Sequence, residues 1–265
     1  MPPFLQSNLR VVEFAPLLLT IATFICIAIG WYFGRYRLTK HREGGIVVRD
    51  SLVAAIFGLS ALVLGFTFSG SASRYFDRMD EIRVQAQTLQ QVYGSLKYLA
   101  PSDQIKIRAS LNELLDLRLS AYKDIKSMTD VDVEGFKIMA SVRRIQEEVS
   151  RAVANAPVEN KGLVADLLIP QVSNLSSTYA AGIIKSKSHP PSLLMKFLFA
   201  MLCIGAFLIG YTMAVKKEHD WLLASLYTLL IGISLYVILS LEVPNLLMPY
   251  DEINRDFLLL KEAVK

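Results

Sequence analysis

Four stretches of this chain run for 19 residues or more without a charged side chain: Phe14 to Gly34, Ser51 to Ser73, Phe197 to Val215 and Trp221 to Leu241. At about 1.5 Å of rise per residue, each is long enough as a helix to cross a hydrocarbon core of about 30 Å. The apolar content of 53% and mean hydropathy of +0.39 exceed those of an ordinary soluble domain. The pattern predicts an all-α integral membrane protein. The first run could also be read as a cleaved leader. It is long for that role, and Trp31-Tyr32-Phe33 at its end has the character of an interfacial belt, not of a small-residue cleavage site.

The second span does not stop at its polar end. Small or apolar residues continue in alternating steps of four and three from Ala54 through Gly58, Ala61, Gly65, Phe68, Ala72, Tyr75, Met79, Ile82, Ala86, Leu89, Tyr93 and Leu96 to Ala100. This is a heptad seam, and it predicts one helix from Asp50 to the Ala100-Pro101 break. Its first half is mostly Gly and Ala, which permit close backbone approach in lipid, whereas its second half is large enough to fill a core in water. Within the span, Ala54, Gly58, Ala61, Gly65, Ser69 and Ala72 share about 80° of arc. They are a candidate packing face, toward either another span of the same chain or another copy. Ile56, Val63 and Phe66, read as lying on the opposite face, are candidate pore-lining residues.

The order of segments predicts a domain plan. Residues 1–73 would form an amino-terminal transmembrane hairpin, 74–190 a charged region of four helices, 191–241 a second transmembrane hairpin and 242–265 an amphipathic tail. The helices of the charged region are the continuation of the second span, 102–126, 129–156 and 160–186, joined by short connections that imply an up-down bundle. Stripes at Ile138, Val142, Ile145, Val149 and Ala152, and at Val164, Leu168, Val172, Leu175, Tyr179 and Ile183, predict its core. Pro170 should kink or divide the last of these helices. In the tail, Ile253, Phe257, Leu260 and Val264 give one apolar face, fit to lie on the membrane or dock on the bundle.

Four spans put both termini and the 74–190 region on one side of the bilayer and the two short loops on the other. Those loops carry Arg35, Arg37, Lys40, Arg42, Arg49, Lys216 and Lys217. Short loops rich in Lys and Arg stay in the cytoplasm, so the helical region is expected outside, which in a bacterial inner membrane means the periplasm.

Several chemistries are not indicated. His41, His189 and His219 each stand alone in loops, with no ligand cluster at metal spacing. No nucleophile elbow, phosphate loop or basic stripe interleaved with aromatics occurs, so neither an enzyme, nor a cofactor, nor nucleic-acid binding is expected. The spans hold no ionisable Asp, Glu, Lys, Arg or His between their ends, which argues against proton-coupled transport but permits a hydrophobic pore or a plain anchor. One charge is singled out. Arg118 lies at the centre of a face formed by Ile107, Leu111, Leu114, Tyr122 and Ile125, and a buried Arg needs a partner. Asp77 or Asp80 would serve structurally; an anion or a protein partner is the functional reading.

The chain resembles the bacterial bestrophin-like membrane proteins, a family of undetermined function, over nearly its whole length. The resemblance rests on Gly65-Phe66-Thr67-Phe68-Ser69 running into Ser73-Arg74-Tyr75-Phe76-Asp77, and on Leu114-Leu115-Asp116-Leu117-Arg118 and Asn174. It also rests on Pro190-Pro191, Gly210-Tyr211, and Tyr236 with Glu242 and Pro244. In the tail, Asn254-Arg255-Asp256 departs from the family's usual Gln-Pro type element. The resemblance implies four spans per subunit, a helical domain between the second and third, self-association and anion conduction through a neck on the second span. It also implies a cytoplasmic helical domain, opposite to the side that the loop charges indicate. A non-conducting, membrane-anchored helical module for sensing or assembly is the alternative.

Overall fold

The computed structural model describes residues 10–40, 49–124, 128–217 and 220–264. Every regular element among them is helical: α1 (Arg10–Lys40), α2 (Asp50–Ser95), a 3-10 turn (Leu96–Tyr98), α3 (Pro101–Asp124), α4 (Met128–Ala154) and α5 (Lys161–Ser186). They continue as α6 (Ser192–Val215), α7 (Trp221–Glu242), then the short α8 (Pro244–Leu247), α9 (Tyr250–Ile253) and α10 (Arg255–Ala263). Four of them, α1, α2, α6 and α7, are long and apolar enough to cross a membrane. The protein is an all-α, multi-pass membrane protein.

The chain divides into two compact units. One contains residues 10–73 and 189–243; the other contains 74–188 and 244–264. In the first, α1 packs chiefly on α6 and less extensively on α7, and α6 and α7 touch each other little. The spans are thus not paired as two sequential hairpins. Close approach decides the pairing: a Cβ on Gly30 would overlap the carbonyl oxygen of Phe207, and one on Gly210 would overlap that of Ile27. A Cβ on Gly34 would stand 2.7 Å from the Cβ of Ala214. The Gly30 and Gly34 pair therefore marks a real backbone contact. Pro16, Thr23 and Ile27 continue the same buried face of α1.

At one end of this unit, Arg37 donates from Nη1 to the Tyr211 hydroxyl (3.2 Å) and Lys216 pairs with Asp50 (3.0 Å). Trp31 and Trp221 meet there with ring centroids 6.0 Å apart, and Arg35 lies over the Trp31 ring at 4.7 Å. The ends of α1 and α6 and the starts of α2 and α7 therefore share one side. His41, Arg42 and His219 lie outside the described residues.

In the second unit, α2 from Arg74 onward, α3, α4, α5 and the tail share one core. Ile82, Ala86, Leu89, Tyr93 and Leu96 of the seam are buried, as are Ile138, Val142, Ile145, Val149 and Ala152 of α4 and Val164, Leu168, Val172, Leu175 and Tyr179 of α5. Ile107, Leu111 and Leu114 fill the centre from α3, whereas Ile125 lies outside the described residues. Polar cross-links fix the register: the Tyr93 hydroxyl donates to Asn112 Oδ1 (2.7 Å), Ser110 Oγ to Glu148 Oε2 (2.7 Å) and Gln85 Nε2 to the Thr178 carbonyl (3.2 Å).

One expectation is corrected here and two open ones are narrowed. Helix α2 ends at Ser95, five residues before Ala100, because a 3-10 turn and an extended Leu99 precede Pro101, which itself opens α3. Helix α5 runs through Pro170 undivided, with that residue on the exposed surface. The tail docks on the bundle: Ile253, Phe257 and Leu260 are buried in its core, and the Tyr250 hydroxyl donates to the Leu119 carbonyl at 3.0 Å.

Candidate functional site

The membrane half of α2 carries the residues singled out from the sequence, and its faces separate cleanly. Ser60, Val63, Thr67 and Ser71 are buried inside their own unit, with Ile56 and Leu64 half-buried beside them. Val63 packs with Leu198, Leu202, Ile231 and Leu235. The hydroxyls would be costly in this setting without acceptors. Ser60 Oγ donates to the Ile56 carbonyl and Thr67 Oγ1 to the Val63 carbonyl, each at 2.8 Å on their own helix. Phe57 meets Tyr227 edge-on with centroids 5.8 Å apart.

The small residues point elsewhere. Ala54, Gly58, Ala61, Gly65 and Ser69 are exposed and Ala72 is half-buried. A Cβ built on Gly58 or Gly65 would meet nothing within 4 Å. Among the described residues this face packs against no other helix. It makes no close approach to the other spans, because α2 turns its hydroxyl face to them instead. Next to it stand Leu59, Leu62 and Phe66, the last 70% exposed. Of the three candidate pore-lining residues, Phe66 faces outward and Ile56 is half-buried. Val63 is corrected: its side chain is committed to the core formed with α6 and α7. The sequence reading missed the inward role of Ser60, Thr67 and Ser71. Their spacing of seven and four was the signal, since hydroxyls in a span tend to face protein and not lipid.

Arg118 differs from its expected role. Among the described residues no carboxylate pairs with it. Asp80 pairs with Arg83 instead, at 3.1 Å. The Arg118 guanidinium lies over two rings, 4.9 Å from the Tyr122 centroid one turn along α3 and 5.1 Å from that of Phe257 in the tail. Cation–π contact with flanking aromatics takes the place of the expected bridge. His189 sits beside the buried Glu242, Nδ1 to Oε2 at 3.7 Å. Among the described residues no group of three or more His, Cys, Asp or Glu could hold a metal ion.

No family model and no curated protein matches the chain. Solved structures do. Two crystal structures of a bacterial bestrophin homologue from Klebsiella pneumoniae, each a single-residue variant, superpose with a TM-score of 0.61. The first shares 15% identity over 94% of this chain and 98% of its own length; the second shares 14% over 93% and 99%. The protein has the bestrophin fold, shared over nearly the whole length of both chains.

Proposed function

We propose that this protein is a homo-oligomeric channel that passes anions, with copies assembled around the outward face of α2. The observation that carries the proposal is the stripe Ala54, Gly58, Ala61, Gly65 and Ser69. It is exposed in the single subunit, free of charge, and bordered by Phe66. A helix in lipid with such a face gains from close contact with another helix, and an apolar constriction can gate ions by dewetting. The bestrophin fold supports the reading, since bestrophins are the channel family that the sequence resembles. Planar-bilayer recording of the purified oligomer under an anion gradient tests it. Anion-selective current is expected, and its absence from a confirmed oligomer overturns the proposal.

A second reading is a non-conducting, membrane-anchored helical module for sensing or assembly. It is favoured by the same face, which offers an ion no charged side chain and a single hydroxyl at Ser69. A particle that is oligomeric but electrically silent would support it.

We further propose that residues 74–190 stand outside the cytoplasm, in the periplasm if the membrane is a bacterial inner membrane. Arg35, Arg37, Arg49 and Lys216 gather at one end of the membrane unit, with Lys40 and Lys217 in the adjoining segments. Alkaline phosphatase fused after Val215 should be inactive. Activity there reverses the orientation.

A further inference from the structure

The bundle unit contains a cleft of about 100 Å³ between α2, α3, α4 and α5. Three cations, Arg78, Arg118 and Lys185, line it against one carboxylate, Glu81. Lys185 neutralises that carboxylate, Nζ to Oε2 at 2.6 Å, and Arg78 Nη2 donates to the Ser188 carbonyl at 2.5 Å. Among the described residues Arg118 has no carboxylate partner. Its guanidinium lies over the Tyr122 and Phe257 rings, whose carbons accept no conventional hydrogen bond, so its N–H groups remain available as donors.

Two further groups on the same cleft lack partners among the described residues. The Tyr179 side chain is 1% exposed and its hydroxyl makes no hydrogen bond. Burial pushes its titration above the usual tyrosine range even though the Arg118 charge opposes that, so it remains a donor at neutral pH. Gln85 donates through Nε2 to the Thr178 carbonyl, and its buried Oε1 accepts from nothing. The amide fits there because residue 182 is glycine: a Cβ on Gly182 would overlap Gln85 Nε2. A buried polar atom left unpaired costs about 1–3 kcal/mol. Two such atoms beside an unpaired guanidinium describe a place built for a polar occupant. The cavity has room for several waters or an ion of phosphate size.

We infer that this cleft binds a small oxyanion that carries an O–H of its own, such as hydrogenphosphate or hydrogencarbonate. Its oxygens accept from Arg118 and Tyr179, and its O–H donates to Gln85 Oε1. The inference is independent of conduction, because it concerns equilibrium binding in the bundle unit. Thermal melting of the purified full-length protein, titrated with inorganic phosphate at constant ionic strength, tests it. Phosphate should raise the wild-type midpoint in a saturable way where chloride does not. Sulfate, which has no O–H at neutral pH, should bind about tenfold more weakly. Tyr179→Phe removes only a buried hydroxyl without a protein partner, itself a cost to the empty cleft, so it should not lower the midpoint without phosphate and should weaken phosphate binding about tenfold. Arg118→Gln should abolish the response. A wild-type midpoint that phosphate does not move, or a Tyr179→Phe variant that binds phosphate as tightly as wild type, overturns the site. Sulfate binding equal to phosphate overturns the role given to Gln85.

Discussion

Helix α1 and the membrane half of α2 are both supplied with glycines a turn or two apart, yet the two sets do opposite things. Gly30 and Gly34 lie where α1 meets α6, and with Gly210 they bring two backbones so close that a methyl group would strike a carbonyl oxygen or a neighbouring Cβ. Gly58 and Gly65 have empty space where their side chains would be. The first set spends its missing side chains inside the subunit. The second keeps them on the outside. A small residue in lipid thus states that a backbone can come near, and says nothing about whose.

The sharpest way to break this contrast is Gly210→Leu. The added side chain would overlap backbone atoms of Ile27 and Trp31, which cannot move without displacing α1. Overpacking of this kind costs about 3 kcal/mol or more where backbone must shift. Thermal melting in detergent should show a large fall in the midpoint, or a chain that cannot be extracted folded. A wild-type midpoint would mean that the backbones of α1 and α6 are not in contact at Gly210.

Farther along α2 the same seam is used in the ordinary way. Leu89 is fully buried in the bundle core, and Leu89→Ala should cost about 2–5 kcal/mol by lost burial and the cavity left behind. Gly65→Leu provides the counterpart on the membrane half. It should change the stability of the isolated subunit by less than about 0.5 kcal/mol, since it meets nothing there. The mass of the particle in detergent should nevertheless fall toward that of one chain. A variant that keeps its full mass removes the Gly/Ala face from the subunit contact.

Much of the architecture was legible because it follows from local chemistry. Uncharged runs of 19 residues or more mark spans, and stripes such as Ile138 to Ala152 mark core faces, since each needs only one helix's own periodicity. What was not legible is which helix each span meets. The chain order suggested two hairpins, but α1 lies on α6 because Gly30, Gly34 and Gly210 let it, a match between residues some 180 positions apart. Val63 was misplaced for a related reason. It lies only about 60° around the helix from Phe66, and periodicity cannot say where the edge of the buried face falls. Arg118 stands out in the sequence, but its ring partners are Tyr122 and Phe257, and the latter comes from a tail whose docking no local pattern decides between bundle and membrane.

The mildest substitution separates the two faces most finely. Phe66 stands about 100° from Gly65 around α2, so copies that meet through the Gly/Ala stripe leave its ring beside the contact and not within it. With 70% of its surface exposed in the subunit, Phe66→Ala removes little intrachain packing and should change stability by less than about 0.5 kcal/mol. The particle mass should be unchanged while single-channel conductance or selectivity shifts, because a large apolar ring is the bulkiest obstacle on that surface. A changed mass with unchanged conductance would exchange the roles: Phe66 would then be the interface residue, and the Gly/Ala stripe would face the lumen, with its small side chains setting a wider path.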